Sequence, residues 1–343
     1  MKNKEKNGEK KGGKKIFRKI LLGIVVLLFV MLIFDICKTE IYARKIPHHF
    51  ASAKEGKERL LAQTDYYNSF TQNDIEYRMQ KDGATLKELL AASANEIKDF
   101  TIFDKYLVDR RLSAMARTIK KNGYELPSTD ELVYVKTDMT VENGVCRGAT
   151  GYTHGSTIYL NSTSILLSFV PEASEYFDLL LWHELFHCLT RNNPDFRAEM
   201  YSLIHFTVTA DDFEIPSSVK DKYISNPDVE HHDAYATFNI DGKDIDCFTV
   251  WIKPKHFAEA KTEEEAEEVT ALVPIDGTDT YYIMDDKTNY KEVFGTNTDY
   301  DIDPEECMAD NFKYAMYYGI DGKNGQGYSD PEIIQGIIDI VSR

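Results

Sequence analysis

The sequence is short of the residue pairs that would hold a cysteine-built fold. Of 343 residues five are cysteine (Cys37, Cys146, Cys188, Cys247, Cys307), and no two stand at Cys-x-x-Cys spacing. A cysteine-rich zinc module is thereby excluded. With Cys37 at a membrane edge, the other four could close two disulfides in any of three connectivities, or act as small buried residues. There is no Pro-rich or Gly/Ser-rich linker, no internal repeat, and no low-complexity block beyond a Lys-rich start. Positive charge is outweighed after the first 19 residues. Those carry nine Lys/Arg against two Glu, a net of +7, and since the whole chain stands at −17 the remaining 324 residues carry −24. Such a body argues against nucleic acid as a partner, because phosphate binding needs clustered Lys and Arg.

Long apolar runs are also rare; there is one. Residues 20–34 are unbroken, Ile36 and Cys37 extend the run past Asp35, and Ile16 and Phe17 precede it. A helix of about 20 residues can span the hydrocarbon core. The basic flank lies on the N-terminal side, which orients residues 1–19 as a cytoplasmic tail, 20–37 as a transmembrane anchor in the lipid bilayer, and the body as extracytoplasmic. A cleaved signal peptide is the rival. Against it, no Ala-x-Ala follows the run, and Ile41-Tyr42-Ala43 is a poor substitute. Phe34-Asp35-Ile36 before Cys37 does not resemble a lipoprotein cleavage site. The expectation is an uncleaved, single-pass anchor in the cell membrane.

Beyond the anchor the pattern predicts an α+β body. Residues 38–56 read as a stalk and 57–125 as a helical lead-in, together one region, 38–125. Within it Thr101 caps a helix carrying Ile102, Tyr106, Met115 and Ile119, which ends at Gly123 with Pro127 beyond. From 131 the period changes. Leu132-Val133-Tyr134-Val135 is strand-like, Asn143-Gly144 a turn, and residues 156–160 a second strand. Pro171 opens a helix to about Arg191, and Asn192-Asn193-Pro194 stops it and starts another. Further strands are expected at 234–239, 247–252 and 280–284. The acidic run at Glu263–Glu265, Glu267 and Glu268 reads as a solvated face or loop. Asp303-Pro304 and Asp330-Pro331 each open a helix with an Asp cap and Pro at its first position. Asp299, Asp301 and Asp303 alternate as a calcium loop might, but the Gly and terminal Glu of such a loop are missing, so a connection with a cap explains them.

The chemistry sits at His183-Glu184-Leu185-Phe186-His187. On a helix His183 and His187 lie one turn apart on the same face, able to grip one zinc ion, with Glu184 beside them to take a proton from the attacking water. Two core histidines hydrogen-bonding locally would be the structural alternative, a costly one beside a buried carboxylate. No other run is long enough to place the string inside a membrane. Catalytic zinc needs a third protein ligand. Position 193 is Asn and 190 is Thr, so the His-x-x-Gly-x-x-His extension is absent. Glu306-Cys307-Met308-Ala309-Asp310 instead offers a Glu and, one turn on, an Asp that can orient a ligating histidine. Glu306 also stands where a capping-box acid would, and Glu305 or another acid is an alternative ligand. Cys188 and Cys307 each adjoin one of these positions.

With both motifs in hand the chain resembles the gluzincin peptidases, the broad group that includes thermolysin. The resemblance rests on two short helical motifs and the strand before the first. It implies a zincin-like fold, a small mixed sheet with a central zinc helix and C-terminal helices, in which residues 126–343 are the catalytic domain. It implies His183, His187 and Glu306 as zinc ligands, Glu184 as general base and later proton donor, and Asp310 as the residue fixing a histidine tautomer. It also implies that Ser156-Thr157-Ile158-Tyr159-Leu160 is an edge strand along which an extended substrate pairs. Two departures stand out. The motifs are separated by 118 residues, far more than in thermolysin, so 211–300 look inserted. No His follows His256, so the transition-state donor of thermolysin has no counterpart; Tyr281, Tyr282, Tyr314, Tyr317, Tyr318 and the His231-His232 pair are all open substitutes.

The expected function is a membrane-anchored, extracytoplasmic zinc peptidase acting on peptide or protein substrates near the outer membrane face. A zinc amidase on cell-wall peptide, or a binding or sensory ectodomain with a structural zinc, are the alternatives.

Overall fold

The computed structural model describes residues 2–284 and 288–343, with side chains from Phe17 onward. The basic tail at 1–19 thus falls largely outside the described side chains. Helix α1 (Lys2–Ala43) opens the chain, and its stretch Phe17–Ala43 is long and apolar enough to cross a membrane, with mean hydropathy 3.1. From Phe17 to Phe34 it is solvent-exposed, whereas Thr39 and Ala43 are buried against the body.

Residues 38–56 do not form a free stalk. After α1 the chain enters strand β1 (His48–Phe50) and helix α2 (Ala53–Leu61). Helices α3 (Thr64–Asn68), α4 (Gln72–Met79), α5 (Leu86–Glu96) and α6 (Ile102–Asn122) follow. The cap expected at Thr101 is present as a capping box with Asp104, and Gly123 closes α6 at φ 71°, a left-handed position where glycine carries no Cβ penalty.

Next come β2 (Leu132–Thr137), β3 (Gly151–His154) and β4 (Thr157–Asn161). With β1 they make a four-stranded sheet in the order β1-β2-β4-β3, parallel except for β3. This corrects the expected edge. The segment at 156–160 lies inside the sheet between β2 and β3, and the edge is β3, a four-residue strand whose Gly and His disguise it. Alternation along the strands explains why the N-terminal helices belong to the same body. Tyr134, Ile158 and Leu160 point into the larger core, whereas Val133, Val135 and Tyr159 point the other way, into a cluster with Leu60 and Leu89 of α2 and α5. A sheet apolar on both faces needs cover on both.

The larger core is organised around two helices. After α7 (Ser162–Leu167), α8 (Pro171–Asn192) runs beneath the sheet with Pro171 in its first turn. Helix α9 (Pro194–Ser202), strand β5 (Thr207–Val208) and the single-turn α10 (Ser217–Lys220) lead into a second, antiparallel sheet. That sheet has the order β5-β6-β7-β8-β9, with β6 (Ala234–Ile240), β7 (Lys243–Ile252), β8 (Val269–Pro274) and β9 (Tyr282–Ile283). Strand β8 was not foreseen, and the strand expected at 280–284 shrinks to two residues. The acidic run lies in the exposed connection before β8, as its solvated reading requires.

Helix α11 (Tyr290–Phe294) precedes α12 (Pro304–Tyr318) and α13 (Pro331–Val341). Asp303 caps α12 through the Glu305 N–H and Asp301 pairs with Lys291 at 2.5 Å, so these two aspartates are spent on structure, while Asp299 is exposed, 3.8 Å from the same lysine. Helices α8 and α12 cross through Phe186 and Phe312, whose ring centres are 5.3 Å apart, and Trp182 meets Phe312 edge-on. All five cysteines are free. Cys188 and Cys307 are buried in α8 and α12, which leaves the small-apolar reading for both.

One buried ion cluster ties the N-terminal helices to the rest. Arg78 of α4 holds Asp74 at 2.7 Å, pairs with Glu142, and donates to the Ser225 carbonyl, while Asp74 accepts from the Ser225 N–H at 3.0 Å. Breaking a buried pair from one side typically costs about 3–5 kcal/mol, because the remaining charges stay desolvated. Arg78→Met should therefore lower unfolding stability by about that much. A urea midpoint equal to that of the parent would refute the cluster's structural role.

Candidate metal centre

The buried stretch of α8 from Leu181 to Thr190 carries the histidines, and α12 faces it with three acids. Phe186 and Phe312 pack where the two helices meet, and the polar residues face one another beside that apolar contact. His183 Nε2 lies 3.0 Å from Glu306 Oε2, and His187 Nε2 lies 3.6 Å from the same oxygen. Ligand atoms of the three residues all fall within 4.8 Å of one another.

Both imidazoles are aimed from behind. His183 Nδ1 is 2.9 Å from Asp310 Oδ1, and His187 Nδ1 is 2.8 Å from Glu305 Oε1. A carboxylate accepting the Nδ1–H leaves Nε2 as the lone-pair nitrogen, which is the tautomer a metal ligand needs. Asp310 is fixed in turn by Thr298 at 2.6 Å and by Lys313; Glu305 by Thr190 at 2.7 Å and the Tyr201 hydroxyl at 2.5 Å. Glu306 is steadied by Asn226 at 2.6 Å and, more loosely, by the Tyr300 hydroxyl at 3.4 Å. Capping does not account for Glu306, since the cap bond of α12 runs to the Glu305 N–H and the Glu306 carboxylate turns toward the histidines. Glu305, the alternative ligand, instead orients His187.

Glu184 sits at the edge strand. A Cβ on Gly151 would overlap its Oε1, so β3 approaches this closely only because residue 151 is glycine. Glu184 Oε2 and His187 Nε2 are buried and have no hydrogen-bond partner. Buried orphans of this kind call for an explanation, and an ion between them supplies one. A second group, Glu184, His187 and Asp228, could also hold a metal. The ring of His187 has one nitrogen left after Glu305, so the two groups describe overlapping places for one ion.

The electrostatics agree. Glu184, Asp228, Glu305, Glu306 and Asp310 are all buried around two histidines. Burial works against charge on His183, but Asp310 and Glu306 more than offset it and lift its pKa to about 10. The ring then holds a proton where a cation would otherwise serve both carboxylates. Burial next to Asp228 pushes Glu184 up to about 8. For Asp310, burial is outweighed by His183 and Lys313, which hold it well below the carboxylate range. Two imidazoles, one carboxylate and a surplus of buried negative charge fit a divalent cation.

Asp228 was not singled out by any sequence signal. Its Oδ1 accepts the Thr153 N–H at 2.8 Å and lies 4.0 Å from His187 Nε2. Arg191 locks this loop through the carbonyls of Pro227 and Asp228, both at 3.0 Å. Glu230 likewise accepts from the Gly155 N–H at 3.2 Å. The outward N–H groups at that end of β3 are thus already occupied, and by strand alternation Gly151 is the next residue facing the same way. A cleft of about 380 Å³ opens there, lined among others by Gly151, Tyr152, Tyr176, Trp251, Tyr300 and Tyr314. Of the open tyrosine candidates only Tyr314 reaches it. Tyr317 and Tyr318 pack on each other, Tyr318 bonds Glu175, Tyr281 stacks with Lys222, His231 pairs with Asp212, and His232 bonds Tyr223. Tyr300, six residues before Glu306, was not singled out by any sequence signal.

Comparison of the chain with protein-family models, with curated proteins and with solved structures finds no match.

Metal content gives a direct check. The purified full chain should carry close to one divalent ion, lost in Glu306→Ala. Glu305→Gln and Asp310→Asn should each weaken retention by roughly 10–100-fold, the usual cost of removing the partner of a ligating histidine. A wild-type chain that stays metal-free in a metal-replete buffer would overturn the assignment.

Proposed function

We propose that this chain is a membrane-anchored, extracytoplasmic zinc peptidase with a zincin-like body, in which α8 is the zinc helix and β3 the substrate-facing edge. The observation that carries the reading is the convergence of two imidazole Nε2 atoms on Glu306, each ring backed by its own carboxylate, beside a glutamate with an unpartnered oxygen. Two nitrogens and one carboxylate form the usual donor set of a catalytic zinc with an open position. When bound, zinc supplies Lewis acidity at the scissile carbonyl and toward the attacking water.

The protein's own groups do the rest. A peptide chain lies in the cleft against Gly151 and pairs its backbone there, at the part of β3 that Asp228 and Glu230 leave open. Glu184, directly beneath Gly151, takes the proton of the attacking water at its free oxygen and delivers it to the leaving amine. General acid–base transfer of this kind contributes about 10²–10⁴-fold. Tyr300 stands on the cleft wall beside Glu306, its ring 6.0 Å from that of His183, and is the hydroxyl best placed to donate to the developing oxyanion. It fills the role for which no downstream histidine exists.

A second reading has one observation in its favour. Asp228 approaches His187 closely enough to close the fourth position, which would make the zinc structural in a binding ectodomain. X-ray absorption at the zinc edge separates the two by showing either a water-derived ligand or a second carboxylate in that position.

Kinetics on a peptide library test the mechanism. Glu184→Gln should keep its zinc and lose hydrolysis by at least about 10²-fold; full activity in that variant would sink the proposal. Tyr300→Phe should lower kcat by about 10²–10³-fold with KM and zinc content little changed. A change confined to zinc content would assign Tyr300 to steadying Glu306 instead.

A further inference from the structure

The body carries an apolar patch that the site does not use. Ile102 and Phe103 at the start of α6, Leu166 and Leu167 at the end of α7, and Phe169 and Val170 before α8 are all exposed, Ile102 by 90% and Phe169 by 62%. They form one surface: the Phe103 and Phe169 rings are 6.0 Å apart. Scattered exposed hydrophobes need no explanation, but a contiguous set does.

Its position relative to α1 supplies one. Asp35 of α1 accepts from the Tyr106 hydroxyl at 2.5 Å, and farther on the Arg117 guanidinium lies over the Tyr42 ring. The two helices therefore run side by side in the same direction. Asp35 is level with Tyr106. Phe103 and Ile102 stand three and four residues earlier on α6, about 4.5–6 Å lower at 1.5 Å per residue. The Asp35–Tyr106 contact places them level with residues 31 and 32, and the Arg117–Tyr42 contact, with Arg110 3.8 Å from Asp35, places them level with 27 and 28; both lie inside the apolar run of α1. Any bilayer that takes up residues 20–34 must also meet Ile102, Phe103 and, through the ring contact, Phe169.

We infer that this patch is a membrane foot: where α1 is embedded, residues 102–103 and 166–170 insert into the same leaflet and seat the body on the lipid surface. The occupant is the bilayer itself, since the patch is continuous with the face of α1 that lipid would cover. Large apolar side chains at such a boundary bind by area removed from water. Two attachments fix an orientation that a single helix cannot. Helix α8 leaves the foot at Pro171 and reaches His183 about 18 Å farther along its axis, so the cleft is held at a set height above the lipid. The inference needs α1 to be embedded but does not depend on any catalytic activity.

The test uses the full chain reconstituted in phosphatidylcholine vesicles with brominated acyl chains. Trp182 and Trp251 are buried, so the native chain sets a low quenching baseline. Phe34→Trp reports on α1, and Phe169→Trp and Ile102→Trp report on the foot. The substituted positions are exposed, so folding should be retained. The expected result is loss of fluorescence in the two foot variants comparable to that of Phe34→Trp. Quenching of Phe34→Trp alone would overturn the foot while leaving the anchor standing. Baseline fluorescence in all three would overturn both.

Discussion

The structure turns on compensating negative charge buried where α8 crosses α12. Five carboxylates and two imidazoles share a space from which water is largely excluded. Any one of those acids alone would be driven to protonate. Together they are tolerable because each histidine meets one of them through Nδ1 and His183 meets a second through Nε2, while the Nε2 of His187 faces Glu306 and Asp228 at 3.6 and 4.0 Å without a hydrogen bond. The Nδ1 atoms are taken up by Asp310 and Glu305; the Nε2 atoms are where a proton or a metal can stand. The same demand for positive charge brings Arg191 and Lys313 to the rim, each tied to an acid of the cluster.

The rest of the architecture serves that crossing. Apolar contacts among Trp182, Phe186 and Phe312 fix the angle and spacing of the two helices, so that residues 118 positions apart in the chain meet within hydrogen-bonding distance. The four-stranded sheet lays its edge over Glu184, and the glycine at 151 lets it come close. The N-terminal helices cover the sheet's other face and, through Arg78, brace the loop at 225–228 that carries Asn226 and Asp228 to the site. What looks in the chain like an appended lead-in is part of the site's scaffold.

Much of this was legible beforehand. Helix ends were marked by chemistry that acts locally: Thr101 and Gly123 around α6, Pro171 at the start of α8, Asp303-Pro304 before α12. The i, i+4 spacing of His183 and His187 put both rings on one face whatever surrounded them, and the same rule linked Glu306 to Asp310. The resemblance places the edge at 156–160, one strand away from β3, because period-2 patterning identifies strands but not their neighbours. β3 and β8 were missed, the first short and glycine-led, the second following an acidic loop that hid its start. Glu305 was seen as a rival ligand and proved to be the partner of His187, since a step of one residue on a helix turns a side chain by about 100°.

The sequence by itself therefore determined the local devices: caps, helix faces, the pairing of His183 with His187, the presence of one helix apolar enough for a membrane. Only the tertiary structure decided which acid faces which nitrogen, that Asp228, Asn226 and Tyr300 reach the same few ångströms, and that Ile102 and Phe169 lie level with the apolar part of α1. The physical reason is one of range. Backbone geometry fixes relations across a helical turn, whereas the approach of distant segments is set by the summed packing of two cores, and no single residue in the chain records it.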